Sequence, residues 1–395
     1  MHEHQGHTRP RWEVADIFGR YWASFKERHK VSPHQNNVVQ AIINCRTSKM
    51  GGHREKCTVC DYEYSAYNSC RNRHCPKCQF RHRLEWLKER LVELLPLPYY
   101  HVVFTMPHLL NDLVLCNKKT VYDIFFTATS YALKKFALDP KFLGAQLGFF
   151  GILHTWGQNL CYHVHIHYIV IGGGLDAAND RFIRLPYQKK FLFPAKAMSR
   201  TVRGKFVELL AGAYHAGKLV FPGKLAAVSS ADAFAKFCKS VGNESWVNYV
   251  KKPFAGPGSV LEYLGRYSHR VAIANQRIQD VSDAQVTFRY KDYRDQSRTK
   301  SMRLDPDHFI QRFLWHVLPP GFRKIRYYGF MGYAVRSEKI EQIRRLLQAL
   351  LDETIKGNHA IGEWLERYSD FLERRCPQCK VGFLESERIP IMNSS

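Results

Sequence analysis

Tyr162-His163-Val164-His165-Ile166-His167-Tyr168 runs on through Ile169-Val170-Ile171 to Gly172-Gly173-Gly174. Alternation with period two is the pattern of a strand. His163, His165 and His167 therefore share one face, and Val164, Ile166 and Tyr168 the other. Residues 147–155 read as a second strand just before it, and His101-Val102-Val103-Phe104-Thr105 as a buried strand stopped by Pro107. Apolar residues at helical spacing mark 120–137, 197–217, 305–317 and 336–352, while Val271-Ala272-Ile273 and 286–290 are strand-like. Strands and helices interleave without a βαβ rhythm, which predicts an α+β domain rather than a doubly wound sheet.

Toward the N-terminus, residues 11–45 are helical and divided at Ser32-Pro33, where serine followed by proline suits a helix start. Residues 45–80 are polar and cysteine-rich. A basic amphipathic helix follows, with Leu84, Leu87, Leu91 and Leu94 facing inward, and Pro96 and Pro98 end it. Three units result: 1–95, helices with a cysteine module; 96–335, the α+β domain; and 336–395, a helical region with a Cys376-Pro377-Gln378-Cys379 tail.

The formal net charge is +24 over 395 residues, with 45% hydrophobic content. That is a folded chain whose field attracts polyanions, so nucleic acid is the expected partner. A membrane is not, because no apolar run approaches the roughly 18 residues a span needs. Met1-His2-Glu3-His4-Gln5 is too polar to begin a signal peptide, so the expectation is a cytoplasmic protein. In that setting eleven cysteines, several in CxxC pairs, point to metal rather than disulfides.

Cys57-x-x-Cys60 and Cys75-Pro76-Lys77-Cys78 are read as the two halves of one structural zinc site, since each CxxC turn offers two thiolates to a tetrahedral ion. Cys45, His53, Cys70 and His74 crowd the same stretch and are candidates for a second zinc. Arg71, Arg73, Arg81 and Arg83 surround the module and suit phosphate contacts. Cys376 and Cys379 cannot close a site alone; they need partners from elsewhere, or they form only a turn.

Imidazoles crowded on one strand face each need a polar partner, and a shared divalent cation satisfies two at once. A third protein ligand is expected from Gln158, Glu262, His163 or His154, with Gln158 preferred. After Pro257-Gly258, Ser259 is a good N-cap for a short helix in which Tyr263 and Tyr267, four apart, share a face. A phenol near a cation is a plausible nucleophile, and Arg266 and Arg270 beside the pair suit phosphates.

Taken with these strings, the chain resembles the two-tyrosine HUH transposases of the insertion sequence 91 type. The matching stretches are Cys45-Arg46-Thr47, Gly51-Gly52-His53, the run from Tyr67 to Gln79, His101–Thr105, Trp156-Gly157-Gln158-Asn159-Leu160, His165-Ile166-His167 with the three glycines, Tyr263-Leu264-Gly265-Arg266-Tyr267-Ser268-His269-Arg270-Val271-Ala272-Ile273, and Tyr327-Tyr328-Gly329. They follow in family order over nearly the whole chain. The resemblance implies a HUH-nuclease-like central antiparallel sheet with flanking helices, beside an N-terminal zinc-binding module and a helical C-terminal region. It implies rolling-circle-type transposition through a 5′-phosphotyrosine, with Tyr263 and Tyr267 as nucleophiles and Mg²⁺ or Mn²⁺ held by His165 and His167. The family often has proline between the first two histidines, where this chain has Val164. His163 and His165 are thus an equally acceptable ligand pair, and His165 belongs to both.

The expected partners are single-stranded or hairpin element ends and target DNA, in the cytoplasm of a bacterium and on its nucleoid when bound; an oligomer is allowed but not required. Two alternatives are a replication initiator or relaxase with the same chemistry, and a zinc-containing sequence-specific DNA-binding protein without nuclease activity.

Overall fold

A computed structural model describes residues 10–176, 178, 180–185, 192–250, 254, 260, 263, 271–293, 295–347 and 373–389, without the side chains of Phe80, Arg81 and Asn248. The chain opens with helices α1 (Val14–Arg28) and α2 (Pro33–Asn44), the latter capped by the Ser32 side chain with Pro33 in its first turn. A short hairpin, β1 (Gly52–Cys57) and β2 (Glu63–Tyr67), leads to α3 (Gln79–Leu91). There follow β3 (Tyr99–Thr105), α4 (Asn111–Cys116), α5 (Lys118–Leu138), β4 (Gln146–Trp156), β5 (Tyr162–Asp176) and β6 (Arg181–Arg184). Helices α6 (Ala195–His215) and α7 (Ala231–Asn243) precede β7 (Asn248–Val250) and a meander of β8 (Ile278–Val281), β9 (Val286–Asp292) and β10 (Arg298–Leu304). The remaining described elements are α8 (Pro306–Trp315), β11 (Ile325–Gly329), α9 (Arg336–Leu347) and β12 (Leu384–Ile389).

The histidine strand is β5, and it lies inside an antiparallel sheet ordered β11-β4-β5-β3-β7, with β6 also paired to β5. Both faces of this sheet are covered, so β4 and the C-terminal part of β5 are buried almost continuously rather than alternately. On one face Tyr100, Phe104, Phe149, Val164, Ile166 and Tyr168 pack in a core shared with α5 and α6. On the other, Phe150, Ile152, Ile169 and Ile171 pack with Leu87 and Leu91 of α3 and Ile340 and Ile343 of α9. The histidines stand at one end of this second face.

The rotational setting of β5 is held from behind. Tyr168 lies across from Gly151 on β4, where an added Cβ would come within 2.5 Å of the tyrosine ring. The ring fills that space, and its hydroxyl meets Thr129 Oγ1 of α5 at 2.8 Å. A slip of one residue would exchange the two faces and bury the histidines among the aromatics.

The α+β class and the central antiparallel sheet stand as expected. The cores, however, cross the expected unit boundaries. Val14, Phe18, Val39 and Ile42 of α1 and α2 share one core with Ile273, Phe288, Phe309 and Phe313, so the first helices are seated on the meander and α8. Residues 373–389 return to the N-terminal module, where β12 pairs with the outer side of β1. Val271-Ala272-Ile273 forms no strand: Ala272 and Ile273 are buried as irregular backbone beneath α1, where Asn275 Oδ1 accepts from Val14 N. Apolar content there reported burial, not extension. The Ser259 cap, the end of the 336–352 helix and residues 390–395 lie outside the described residues.

Candidate active site and metal centres

The β4–β5 hairpin brings its own histidines together. His154 of β4 is the register partner of His165 on β5. The ligand nitrogens of His154, His165 and His167 all lie within 4.8 Å of one another, and no other His, Cys, Asp or Glu among the described residues joins the group. His154 and His167 are buried. The Nδ1–H of His165 donates to the His163 carbonyl at 2.9 Å, which fixes the tautomer and presents Nε2 as the ligand nitrogen.

The structure thus brings His154 to the other two. His163 is next on the same face, its ring 5.1 Å from that of His165, but it stacks on His108 at 5.3 Å and stays outside the trio. Burial pushes the His163 imidazole below its ordinary pKa, with His108 adding to the effect. Gln158 sits in the hairpin loop, where its side-chain amide donates to the Tyr293 hydroxyl at 3.4 Å and its backbone carbonyl accepts from Arg277. Glu262 lies outside the described residues.

Half-buried Tyr263 reaches this group directly. Its hydroxyl is 2.8 Å from His167 Nδ1 and 2.6 Å from His101 Nε2, and those two nitrogens are themselves 2.9 Å apart. His101, 3% exposed, is the third residue of β3 and faces the same side of the sheet as His167. Nothing in its sequence context marked it, since a histidine at the head of an apolar strand most simply reads as core. Tyr267, Arg266 and Arg270 lie outside the described residues.

The cysteines divide differently from their order along the chain. Cys45, Cys70, Cys75 and Cys78 form one cluster, and Cys57, Cys60, Cys376 and Cys379 another, each with sulfurs within 4.8 Å of one another. The expected pairing of Cys57 and Cys60 with Cys75 and Cys78 does not occur, and the reason is the hairpin. Arg46 N donates to Asn68 O, so the segments before β1 and after β2 meet at its base. Cys57 and Cys60 sit in its turn, and a strand as long as β1 separates the two ends by roughly 17 Å. His53 and His74 join neither cluster. His53 is held between Asn68 Oδ1 at 2.8 Å and Glu55 Oε1 at 3.2 Å, and His74 Nε2 accepts from Leu318 N at 3.3 Å.

In the first cluster Cys78 Sγ is 3.5 Å from Cys45 Sγ and 3.6 Å from Cys70 Sγ. Hydrogen bonds from neighbouring thiols, Cys70 first, pull Cys45 down to about 6, a group ready to act as thiolate. Arg71 and Arg73 beside this cluster are exposed, although Arg73 also donates to Phe322 O, and Arg83 is half-buried. The Arg81 side chain is not among those described. Among the described residues no helix is long and apolar enough to cross a membrane.

A family model described as "Transposase zinc-binding domain" matches residues 17–106, and one described as "Putative transposase" matches 148–339. The chain is 44% identical to "Putative transposase y4qJ" of Sinorhizobium fredii over 94% of its own length and 93% of that protein's. It is 26% identical to the "Transposase for insertion sequence element IS801" of Pseudomonas savastanoi pv. phaseolicola over 83% of its length and 77% of that protein's. No solved structure matches it significantly.

Proposed function

We propose how this chain, which belongs to the insertion sequence 91 family of transposases and so acts on DNA, breaks and rejoins a strand: through a tyrosine nucleophile beside a histidine-held metal. One observation carries the reading, the Tyr263 hydroxyl within hydrogen-bond reach of His167, itself one of the three clustered histidines.

His154, His165 and His167 would hold the ion. Three imidazoles are an all-nitrogen donor set, which suits Mn²⁺ better than the oxygen-seeking Mg²⁺. When bound, such an ion supplies positive charge against the phosphate oxygens and the leaving 3′ oxygen. With Nδ1 of His167 turned to Tyr263 and His101, its Nε2 is the ligand nitrogen and its Nδ1 carries the proton. His101 Nε2 is then the lone pair that accepts the phenol proton. As the Tyr263 oxygen bonds to phosphorus the P–O3′ bond breaks, leaving a 5′-phosphotyrosine and a 3′-OH, with the 3′ oxygen protonated from solvent. Attack of a 3′-OH on the phosphotyrosine reverses the chemistry and rejoins the strand.

Tyr267, one helical turn on in sequence, is the second nucleophile, which allows one adduct to persist while another cut is made. The substrate is single-stranded or hairpin DNA, because a phenol this close to a buried histidine face needs a phosphate that a rigid duplex would hold away. The Cys45–Cys78 cluster takes Zn²⁺, consistent with the matched zinc-binding domain, and Arg71, Arg73, Arg81, Arg83, Arg266 and Arg270 contact the DNA backbone.

The test is covalent capture on labelled single strands from the flanking DNA, with Mn²⁺. A denaturation-resistant adduct is expected from the wild type. It should be lost in His165→Ala and in the Tyr263→Phe, Tyr267→Phe double variant, while DNA binding persists. Tight binding without an adduct on either strand, with Mn²⁺ or Mg²⁺, would move the chain to the binding-protein alternative.

A further inference from the structure

We propose that Cys57, Cys60, Cys376 and Cys379 form a zinc site of their own, so that the C-terminal tail is a working part of the N-terminal module. Two of these cysteines lie beyond the 17–106 stretch matched to the zinc-binding domain. Four thiolates at about 2.3 Å from one zinc stand roughly 3.8 Å apart along the edges of a tetrahedron. The two contacts that join the ends of the chain, Cys57–Cys379 and Cys60–Cys376, are both 3.7 Å between sulfurs. A disulfide would need about 2.05 Å.

Each CxxC pair is a turn whose backbone amides point at a sulfur, an arrangement that favours thiolate. Val59 N and Cys60 N donate to Cys57 Sγ at 3.3 and 3.4 Å, and Gly382 N donates to Cys379 Sγ at 3.3 Å. Gly382 is buried against the opposite pair, where an added Cβ would sit 2.5 Å from Cys57 Sγ. The surroundings are built for the union as well. β12 pairs with β1 from Gly52↔Ile389 to Cys57↔Leu384, and Thr58 exchanges two 3.0 Å hydrogen bonds with Phe383. The buried carboxylate of Glu55 is met by Arg374 and by Ser386 Oγ, both from the tail. A metal here joins segments more than 300 residues apart, where apolar burial is slight: Val59, Val381 and Phe383 are all exposed. The ion, rather than a core, holds the tail.

Zinc counted by mass spectrometry on the full chain, purified in reductant, tests this. Two zinc ions per chain are expected in the wild type. One is expected in Cys376→Ser/Cys379→Ser, one in Cys57→Ser/Cys60→Ser, and still one when all four are changed, because both pairs serve the same ion. Cys45→Ser/Cys70→Ser should remove the other. A wild type with a single zinc, lost in Cys45→Ser/Cys70→Ser, overturns this site and leaves the first standing; a count of two in Cys376→Ser/Cys379→Ser, or none in the quadruple variant, also overturns it. Alkylation of the unmutated protein covers the case of a variant that fails to fold. Cys57, Cys60, Cys376 and Cys379 should resist together and react together on chelation. Reaction of Cys376 and Cys379 while Cys57 and Cys60 stay protected, or all four unreactive as disulfides without zinc, sinks the proposal.

Discussion

His101→Ala should slow covalent capture far more than it weakens any binding. A free phenol titrates near 10, so at pH 7 about one part in a thousand is phenolate. A base that removes the proton as the bond forms can therefore return at most about 10³ in rate, about 4 kcal/mol, within the range of general-base effects. His101 Nε2 at 2.6 Å from the Tyr263 oxygen, in a 3% exposed side chain, is placed to supply most of it. Single-turnover adduct formation in His101→Ala should fall by about 10²–10³ at pH 7. It should then climb about tenfold per pH unit toward pH 9, as hydroxide generates the phenolate that the histidine no longer provides. Because His101 also touches His167, Mn²⁺ affinity is measured alongside and should change little. A variant that keeps the wild-type rate refutes the assignment; one that is slow with an unaltered pH profile reduces His101 to a positioning residue.

His154→Ala and His165→Ala should each weaken Mn²⁺ binding by at least about tenfold, whereas Gln158→Ala should leave a calorimetric titration nearly unchanged. His316, fully buried with Thr155 Oγ1 and the Leu160 carbonyl on its nitrogens, is pushed down to about 3, chiefly by burial. Between about pH 3 and its ordinary value near 6.5 the unfolded chain binds the extra proton, so stability rises with pH there and falls on acidification, by up to about 1.4 kcal/mol per pH unit. Thermal unfolding at pH 7 and pH 5 should show that loss, and His316→Gln should flatten it. Gly151→Ala should cost about 1–3 kcal/mol in urea unfolding, because the methyl meets the Tyr168 ring. Gly212→Ala, with nothing within 4 Å in the last turn of α6, should be neutral or stabilising by up to about 1 kcal/mol.

Much of the site was legible along the chain. Alternation fixed which face His163, His165 and His167 share, and the Ser32-Pro33 start, the α3 amphipathicity and the β4–β5 pair all stand where periodicity placed them. These are short-range matters, decided by backbone geometry within a few residues. Strands β8, β10 and β12 carry too little periodic apolar signal to be read that way and are ordered by what they pack against; helix α7, with Phe234, Cys238 and Val241 at helical spacing behind its Ser230 cap, did carry the signal and went unread.

The sequence by itself determined the chemistry: imidazoles on a strand, thiols in CxxC turns, a phenol pair and a large positive charge. Tertiary structure alone decided the partnerships. Strand register, not spacing, set His154 opposite His165, and tertiary packing set Tyr263 beside His101. The length of one hairpin assigned the cysteines, keeping Cys57 and Cys60 from Cys75 and Cys78 and leaving them to the tail. Ligand sets are drawn by three-dimensional distance, and a chain that crosses a sheet brings together residues its linear order keeps hundreds of positions apart.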